Sequence, residues 1–142
     1  MSEPISVVAA VIRDASGRVL LVRKRGTAAF MQPGGKRDPG ESDVAALARE
    51  IGEELGCRVV PESVLPLGVF DAAAANEPGR RVSASVYSVD VVGAVTPRAE
   101  IDEIIWVHPS GPHGIHLAPL TRDHVLPLAV GAVVAREATR SS

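Results

Sequence analysis

The feature that most constrains this chain's fold is a helical segment that follows a loop rich in glycine and proline. The segment ends at Gly56, a residue type that closes helices in the left-handed conformation. Glu50, Glu53 and Glu54 fall within about 100° of one another on one face of this helix. Apolar residues recur on an adjacent face, which predicts packing against a core; they are Val44, Leu47, Ala48, Ile51 and Leu55. The helix is therefore predicted to be anchored by one stripe and to present three carboxylates beside it.

These carboxylates repel one another, and they lie towards the helix C-terminus, where the macrodipole disfavours negative charge. Arg49 is the one cation within the cluster. A divalent cation would supply the missing positive charge, and carboxylate oxygens favour Mg²⁺, or Mn²⁺ in its place, over zinc. Mg²⁺ held by few carboxylates usually shares its other positions with water and phosphates. The pattern indicates metal-assisted chemistry on a phosphorylated ligand, and an acidic, solvated helix is the alternative.

Composition narrows the classes of protein that can carry this helix. The 142 residues favour one domain, and a net charge of −2 argues against a nucleic-acid-binding protein, which would show a basic excess. The single cysteine, Cys57, excludes an intrachain disulfide framework. No apolar run reaches the length of a membrane span. We expect a single cytoplasmic domain over residues 1–142 that contacts neither a membrane nor a nucleic-acid polymer.

The rest of the chain alternates between strand patterns and turn signals. Runs rich in β-branched and other apolar residues predict strands at 6–13, 18–24, 64–73, 81–92 and, as a short edge or closing strand, 104–108. The turn signal at 14–17 joins the first two as a hairpin. A second helix is predicted at 121–139, and Pro127 is expected to restrict its first turn or kink it. Most of the predicted elements are strands, and the two predicted helices lie between and after them. This order favours an α/β or α+β fold.

The spacing around the helix matches a known motif. Over residues 35–57 it reads G-x5-E-x7-R-E-U-x-E-E-x-G-U, with U an apolar position, and the specified residues are Gly35, Glu41, Arg49, Glu50, Ile51, Glu53, Glu54, Gly56 and Cys57. This resembles the Nudix box of the Nudix (MutT-like) hydrolases at every position, with Cys57 where an aliphatic residue is commoner. The preceding Phe30-Met31-Gln32-Pro33-Gly34-Gly35 is similar to the aromatic-x-x-Pro-Gly-Gly approach of the same family.

This resemblance, which covers roughly residues 7–108, implies a fold and an activity. The fold would be an α/β/α sandwich with a mixed β-sheet between helices, in one domain whose core spans about 6–139. The activity would be Mg²⁺-dependent cleavage of a nucleoside diphosphate derivative or nucleoside triphosphate by attack of water on phosphorus. A catalytically silent, nucleotide-binding or regulatory module of the same fold is the alternative. Many relatives are dimers, so a homodimer would follow by analogy alone.

The resemblance also implies roles for individual residues of the box. The metal would be bound by Gly35, through its carbonyl, and by Glu50, Glu53 and Glu54. Glu53 would be the metal-bridging or water-activating member, and Arg49 would orient the carboxylates by charge-assisted hydrogen bonds. Glu41 would brace the loop against the helix.

Outside the box, the resemblance implies a general base. Some relatives use a glutamate on the loop that precedes a tryptophan-bearing strand, and here Glu100 and Glu103 precede Trp106. One of the two is expected to contact metal or water, and a solvated loop is the alternative for each.

Substrate contacts are expected from cationic and aromatic side chains around the presumed cleft. The cations that flank it, and that would meet phosphates or serve as solubilising charges, are Arg23, Arg25, Lys36 and Arg37. The chain has four aromatic residues, and Phe30 is the one placed nearest the glycine loop as a stacking partner for a base.

Overall fold

The computed structural model describes residues 3–131. Its elements follow in chain order as β1 (Ile5–Val11), β2 (Val19–Lys24), β3 (Phe30–Met31), β4 (Gly34–Lys36), α1 (Asp43–Leu55), β5 (Arg58–Val59), a 3₁₀ turn (Pro61–Ser63), β6 (Leu65–Ala73), β7 (Arg81–Ser88), β8 (Val91–Val92) and β9 (Ile101–Val107). A second helix, α2, occupies residues 119–131. The predicted strands are confirmed, except that 81–92 is divided into β7 and β8. Within residues 3–131, no helix is both long and apolar enough to cross a membrane.

The two central strands, β1 and β2, separate two apolar cores. Their alternate residues face opposite ways, as the pleat of a strand requires. One set packs against α1: Val8, Ala10, Ile12, Leu20 and Val22 meet Ala46, Leu47, Ile51 and Leu55. The other set packs against α2: Ala9, Val11, Val19 and Leu21 meet Val125, Leu126 and Ala129. The predicted α/β/α sandwich is therefore confirmed.

The sheets are mixed, as predicted, but the predicted hairpin of β1 and β2 pairs only beside its turn, where residues 12–14 lie antiparallel to residues 18–20. β1 lies between β4, to which it is antiparallel, and β7, to which it is parallel, and β6 forms the far edge. β2 lies between β3 and β9 in a second sheet. An isolated bridge, Arg13↔Val19, pairs the chain across the intervening turn. Each strand has its two edges occupied by other partners, so the turn carries the chain from one sheet to the next.

Helix α1 ends at the glycine predicted to close it, and its N-terminus is capped by Ser42. The hydroxyl of Ser42 accepts a hydrogen bond from the Ala45 N–H at the N-terminus. Gly56 has a φ of 69°, and its N–H donates to the Gly52 carbonyl. The predicted left-handed C-cap is confirmed.

The face that α1 buries differs from the predicted one. Val44 and Ala48, both predicted to lie in the core, are exposed. Glu54 is instead buried on the same face as Leu47 and Ile51. The helix is rotated so that part of its carboxylate face turns inwards, towards β4, and this rotation moves the outer edge of the apolar stripe into solvent.

Helix α2 contains a π-helical turn at Thr121–Val125, immediately before Pro127. In this turn the N–H of Leu126 donates to the Thr121 carbonyl, five residues earlier. Proline lacks an N–H and crowds the carbonyl of the preceding turn, and a wider turn relieves that crowding. The prediction that Pro127 perturbs this helix is confirmed, and the predicted helical residues 132–139 lie outside the described part of the chain.

The approach of β4 to β1 gives a test of this architecture. Gly34 has a φ of 145°, and a Cβ there would lie 2.1 Å from the Val8 carbonyl oxygen. Gly79 has a φ of 78°, but a Cβ there would meet nothing within 4 Å. We expect Gly34→Ala to lower the free energy of unfolding in urea by about 3 kcal/mol or more, and Gly79→Ala by about 1 kcal/mol. Equal losses in the two variants would contradict the close strand contact.

Candidate active site

Helix α1 and strand β4 meet at two glycines. The Gly34 N–H donates to Glu54 Oε1 at 3.4 Å. A Cβ on Gly35 would lie 2.8 Å from the carboxyl carbon of Glu50 and 2.9 Å from each of its oxygens. Only glycine therefore lets this carboxylate lie against the loop backbone. We call this arrangement, Gly34 and Gly35 against Glu50 and Glu54, the glycine cradle.

Burial sets the charge state of Glu54, which is 5% exposed. Desolvation, with the charge of Glu50 and a hydrogen bond to Glu50 adding to it, raises the pKa of Glu54 to about 8. The positive charge of Lys24 offsets part of this rise in pKa. At neutral pH and without a metal, the carboxyl of Glu54 therefore holds a proton.

Arg49 forms hydrogen bonds with two carboxylates and one backbone carbonyl of this site. Its Nε and Nη2 donate to the two carboxylate oxygens of Glu41 at 2.8 and 2.9 Å, and its Nη1 donates to Glu50 Oε1 at 2.8 Å. Nη2 also donates to the Lys36 carbonyl at 2.9 Å. The hydrogen bonds from Arg49 lower the pKa of Glu41 to about 2. These are the contacts that the predicted orienting role of Arg49 and bracing role of Glu41 require.

Glu53 stands apart from the other two carboxylates of the box. Its side chain is 56% exposed, and its Oε2 lies 3.6 Å from Arg49 Nη1. Across residues 3–131, no group of three or more His, Cys, Asp or Glu side chains is arranged to hold a metal ion. The structure brings Glu50 and Glu54 together, and the predicted set of three carboxylates stays a prediction.

The glycine cradle nevertheless fits a divalent cation. At Gly35 no side chain stands between the backbone and the oxygens of Glu50. Burial and the neighbouring charge of Glu50 raise the pKa of Glu54, so this place favours added positive charge. Carboxylate and carbonyl oxygens are hard ligands, and two carboxylates leave room for water and phosphate, as Mg²⁺ prefers.

A cleft of about 450 Å³ opens beside these groups. Of the residues predicted for the site, it is lined by Gly35, Lys36, Glu50 and Glu100. It is also lined by Lys24, Gln32 and Thr121, which the sequence reasoning missed. The sequence contained a signal for two of them. Lys24 is a cation at the end of the apolar strand β2, and Gln32 is an amide in the Phe30–Gly35 segment that precedes the box.

Arg23 and Glu103 are paired with each other and lie outside the cleft lining. Arg23 Nη2 lies 2.8 Å from Asp102 Oδ2 and 3.2 Å from Glu103 Oε1. The Arg23 guanidinium also lies over the ring of Phe30, 5.9 Å from its centroid. The predicted substrate and catalytic roles of these residues stay predictions.

Arg25, Arg37 and Phe30 also lie outside the cleft lining. Arg25 Nη2 donates to the Ala99 carbonyl at 3.3 Å, and Arg37 Nε donates to Asp43 Oδ1 at 2.5 Å. Phe30 is 7% exposed within the core beside α2. None of the four aromatic residues, all of which lie within residues 3–131, lines the cleft.

Comparison with known proteins identifies the fold and its motif. A family model described as the NUDIX domain matches residues 3–137. The chain belongs to the Nudix family. No protein with a curated description matches the chain by sequence. The resemblance seen in the box from Gly35 to Cys57 is therefore confirmed over nearly the whole chain.

Several solved structures share this architecture. The Escherichia coli ORF135 protein is 27% identical, with 96% of this chain and 93% of that chain covered at a TM-score of 0.69. The MutT protein from Methanosarcina mazei Go1 is 26% identical, with 93% and 97% covered at a TM-score of 0.73. A UDP-X diphosphatase at 21% identity shares the fold, with 96% of this chain and 66% of that longer chain covered at a TM-score of 0.73.

The raised pKa of Glu54 predicts how stability depends on pH. Below its ordinary pKa of 4.5 the carboxyl is protonated in the folded and the unfolded chain, whereas above pH 8 the folded chain has to bury its charge. Without divalent metal, we expect the free energy of unfolding to fall by on the order of 4 kcal/mol between about pH 4.5 and 8.5. Urea denaturation across this range measures the fall. In Glu54→Gln this contribution disappears, and parallel pH profiles for the two proteins would contradict it.

Proposed function

We propose that this Nudix protein is a Mg²⁺-dependent hydrolase that cleaves the diphosphate linkage of a nucleoside diphosphate derivative or a nucleoside triphosphate. The observation that carries this proposal is the Glu50–Glu54 pair in the glycine cradle, in which Glu54 is buried and Glu50 lines a cleft. Two adjacent carboxylates in a buried place are unfavourable unless a cation or a proton joins them. Membership of the family supports the same activity, and one protein of this fold is named a UDP-X diphosphatase.

The residues that would hold the cation are Gly35, through its carbonyl, Glu50, Glu53 and Glu54. When bound, Mg²⁺, or Mn²⁺ in its place, neutralises the diphosphate and lowers the pKa of the attacking water. Arg49 keeps the carboxylates of Glu50 and Glu41 in fixed orientations through its three hydrogen bonds. Lys24 and Lys36, which line the cleft, supply positive charge for phosphate oxygens.

Of the two candidate bases, Glu100 is the better placed. It lines the same cleft as Glu50, and its carbonyl accepts a hydrogen bond from the Arg25 N–H at 2.7 Å, which fixes this segment beside β2. Glu103 lies in β9 opposite Arg23 and forms an ion pair with it. We therefore assign to Glu100 the removal of the proton from the attacking water.

We also propose that residues 1–142 act as one cytoplasmic domain on a small nucleotide ligand. The family match over residues 3–137 supports the single domain. The net charge of −2 disfavours a nucleic-acid polymer as the partner.

A panel of nucleoside triphosphates and nucleoside diphosphate derivatives, assayed with Mg²⁺, tests the proposed function. We expect turnover of at least one member and a loss of about 10²-fold or more in kcat for Glu50→Gln, Glu53→Gln and Glu54→Gln, because each removes a charge from the metal site. Glu62→Gln, on the exposed 3₁₀ turn, is the matched control and should keep full activity. Ligand binding without turnover of any member would instead support the catalytically silent module.

The same assay separates the two candidate bases. We expect Glu100→Gln to lower kcat by about 10²–10⁴-fold, since a general base contributes in that range. Glu103→Gln removes an exposed ion pair with Arg23, and we expect it to change kcat by less than about threefold. If Glu103→Gln caused the larger loss, the assignment of the base would be wrong.

A further inference from the structure

Gln32 is a buried residue whose amide nitrogen has no partner. It lies between β3 and β4, is 6% exposed, and lines the same cleft as Glu50. Its Oε1 accepts a hydrogen bond from the Thr121 hydroxyl at 2.8 Å. Its Nε2 is buried and makes no hydrogen bond within residues 3–131. Buried polar atoms nearly always have a partner, so an orphaned donor in a cleft wall indicates a group that arrives with a ligand.

The backbone brings Thr121 to Gln32 by an unusual route. The Phe30 N–H donates to the His116 carbonyl at 2.8 Å, and the Ala118 N–H donates to the Phe30 carbonyl at 2.9 Å. The chain that leads into α2 therefore runs beside β3. The π-helical turn then begins at Thr121. The Thr121 side chain is fully buried, with its hydroxyl directed at Gln32.

This hydroxyl fixes which end of the Gln32 amide is available. A hydroxyl has one hydrogen to donate, and that of Thr121 goes to Oε1, so Nε2 presents two N–H donors. A ligand atom that satisfies them has to be an acceptor, such as a carbonyl oxygen. Apolar side chains form much of the remaining wall: Ile5, Val7, Met31, Val82 and Leu120. Without an aromatic side chain among the described lining residues, recognition of a base rests on hydrogen bonds more than on stacking.

We propose that Gln32 selects the nucleobase of the ligand by donating from Nε2 to an oxo group of the base. Thr121 is a positioning residue that keeps the amide in this orientation. An amino group at the same place would set donor against donor and leave Nε2 unsatisfied, so the cleft favours an oxo-substituted base over its amino counterpart. The proposal rests on the proposed function only in taking the ligand to be a nucleotide.

Binding of inosine 5′-monophosphate and adenosine 5′-monophosphate tests this selection without any need for hydrolysis. The two purines carry an oxo group and an amino group, respectively, at position 6. Titrations followed by NMR in the presence of Mg²⁺ give both affinities. We expect the wild type to bind the inosine nucleotide about tenfold more tightly, the effect of one hydrogen bond gained and one orphaned donor avoided.

Four variants assign the preference to the Gln32–Thr121 pair. Gln32→Met keeps the length of the side chain without its donor and is expected to abolish the tenfold ratio. Thr121→Val frees the amide to turn and is expected to abolish it as well, whereas Thr121→Ser restores the hydroxyl and the ratio. Thr96→Val, an exposed threonine outside the cleft lining, is the matched control and should keep the ratio. Thermal unfolding verifies that each variant is folded.

The outcomes separate this proposal from the proposed hydrolase activity. Equal affinities, a preference for the adenosine nucleotide, no binding of either, or a ratio that survives in Gln32→Met would overturn the role of Gln32. A ratio that survives in Thr121→Val would overturn the positioning role of Thr121. A base preference without turnover of any panel member would contradict the hydrolase and leave the selection by Gln32 standing. Turnover without a base preference would support the hydrolase and overturn the selection by Gln32.

Discussion

The contact between the carboxyl of Glu50 and the buried carboxyl of Glu54 is the interaction on which the rest of the site depends. Burial and mutual repulsion raise the pKa of Glu54 far enough for it to hold a proton at neutral pH. Arg49 supports the pair from the side of Glu50, and the N–H of Gly34 reaches it from the other side. A metal-free protein therefore carries in this place an unsatisfied preference for positive charge. That preference is the physical reason for assigning a divalent cation to it.

The sandwich places this pair beside the cleft, which Glu50 lines. α1 packs on the central strands through Leu47, Ile51 and Leu55, and this packing turns Glu54 inwards. Strand β4 lies against β1 so closely that Gly34 admits no side chain, and Gly35 admits none because Glu50 lies over it. Fold and site thus share the same glycines, and a substitution there is expected to affect stability and metal binding together.

Local signals in the sequence were sufficient to predict the two helices, the longer strands and the box, but not the short strands β3, β4 and β5. Gly56 ends α1 because its left-handed conformation acts within one turn. The wrong predictions concern long-range packing. The apolar pattern of the sequence does not determine the rotation of α1 about its axis when it packs on the sheet. Val44 and Ala48 were therefore wrongly predicted to lie in the core. The predicted hairpin pairs only beside its turn, because β4 and β7 take the edges of β1 while β3 and β9 take those of β2. Gln32 and Thr121 meet across 89 residues, which no local pattern predicts.

A Mg²⁺ titration of the unfolding free energy, with wild type and Glu54→Gln side by side at neutral pH, tests the central claim most directly. A ligand that binds only the folded chain stabilises it by about 2.7 kcal/mol at one hundred times its Kd. We predict a gain of this kind in the wild type. In Glu54→Gln, which is expected to be the more stable protein without metal, we predict little or no gain. An equal gain in both proteins, or none in the wild type, would contradict the assignment of the buried pair as the cation site.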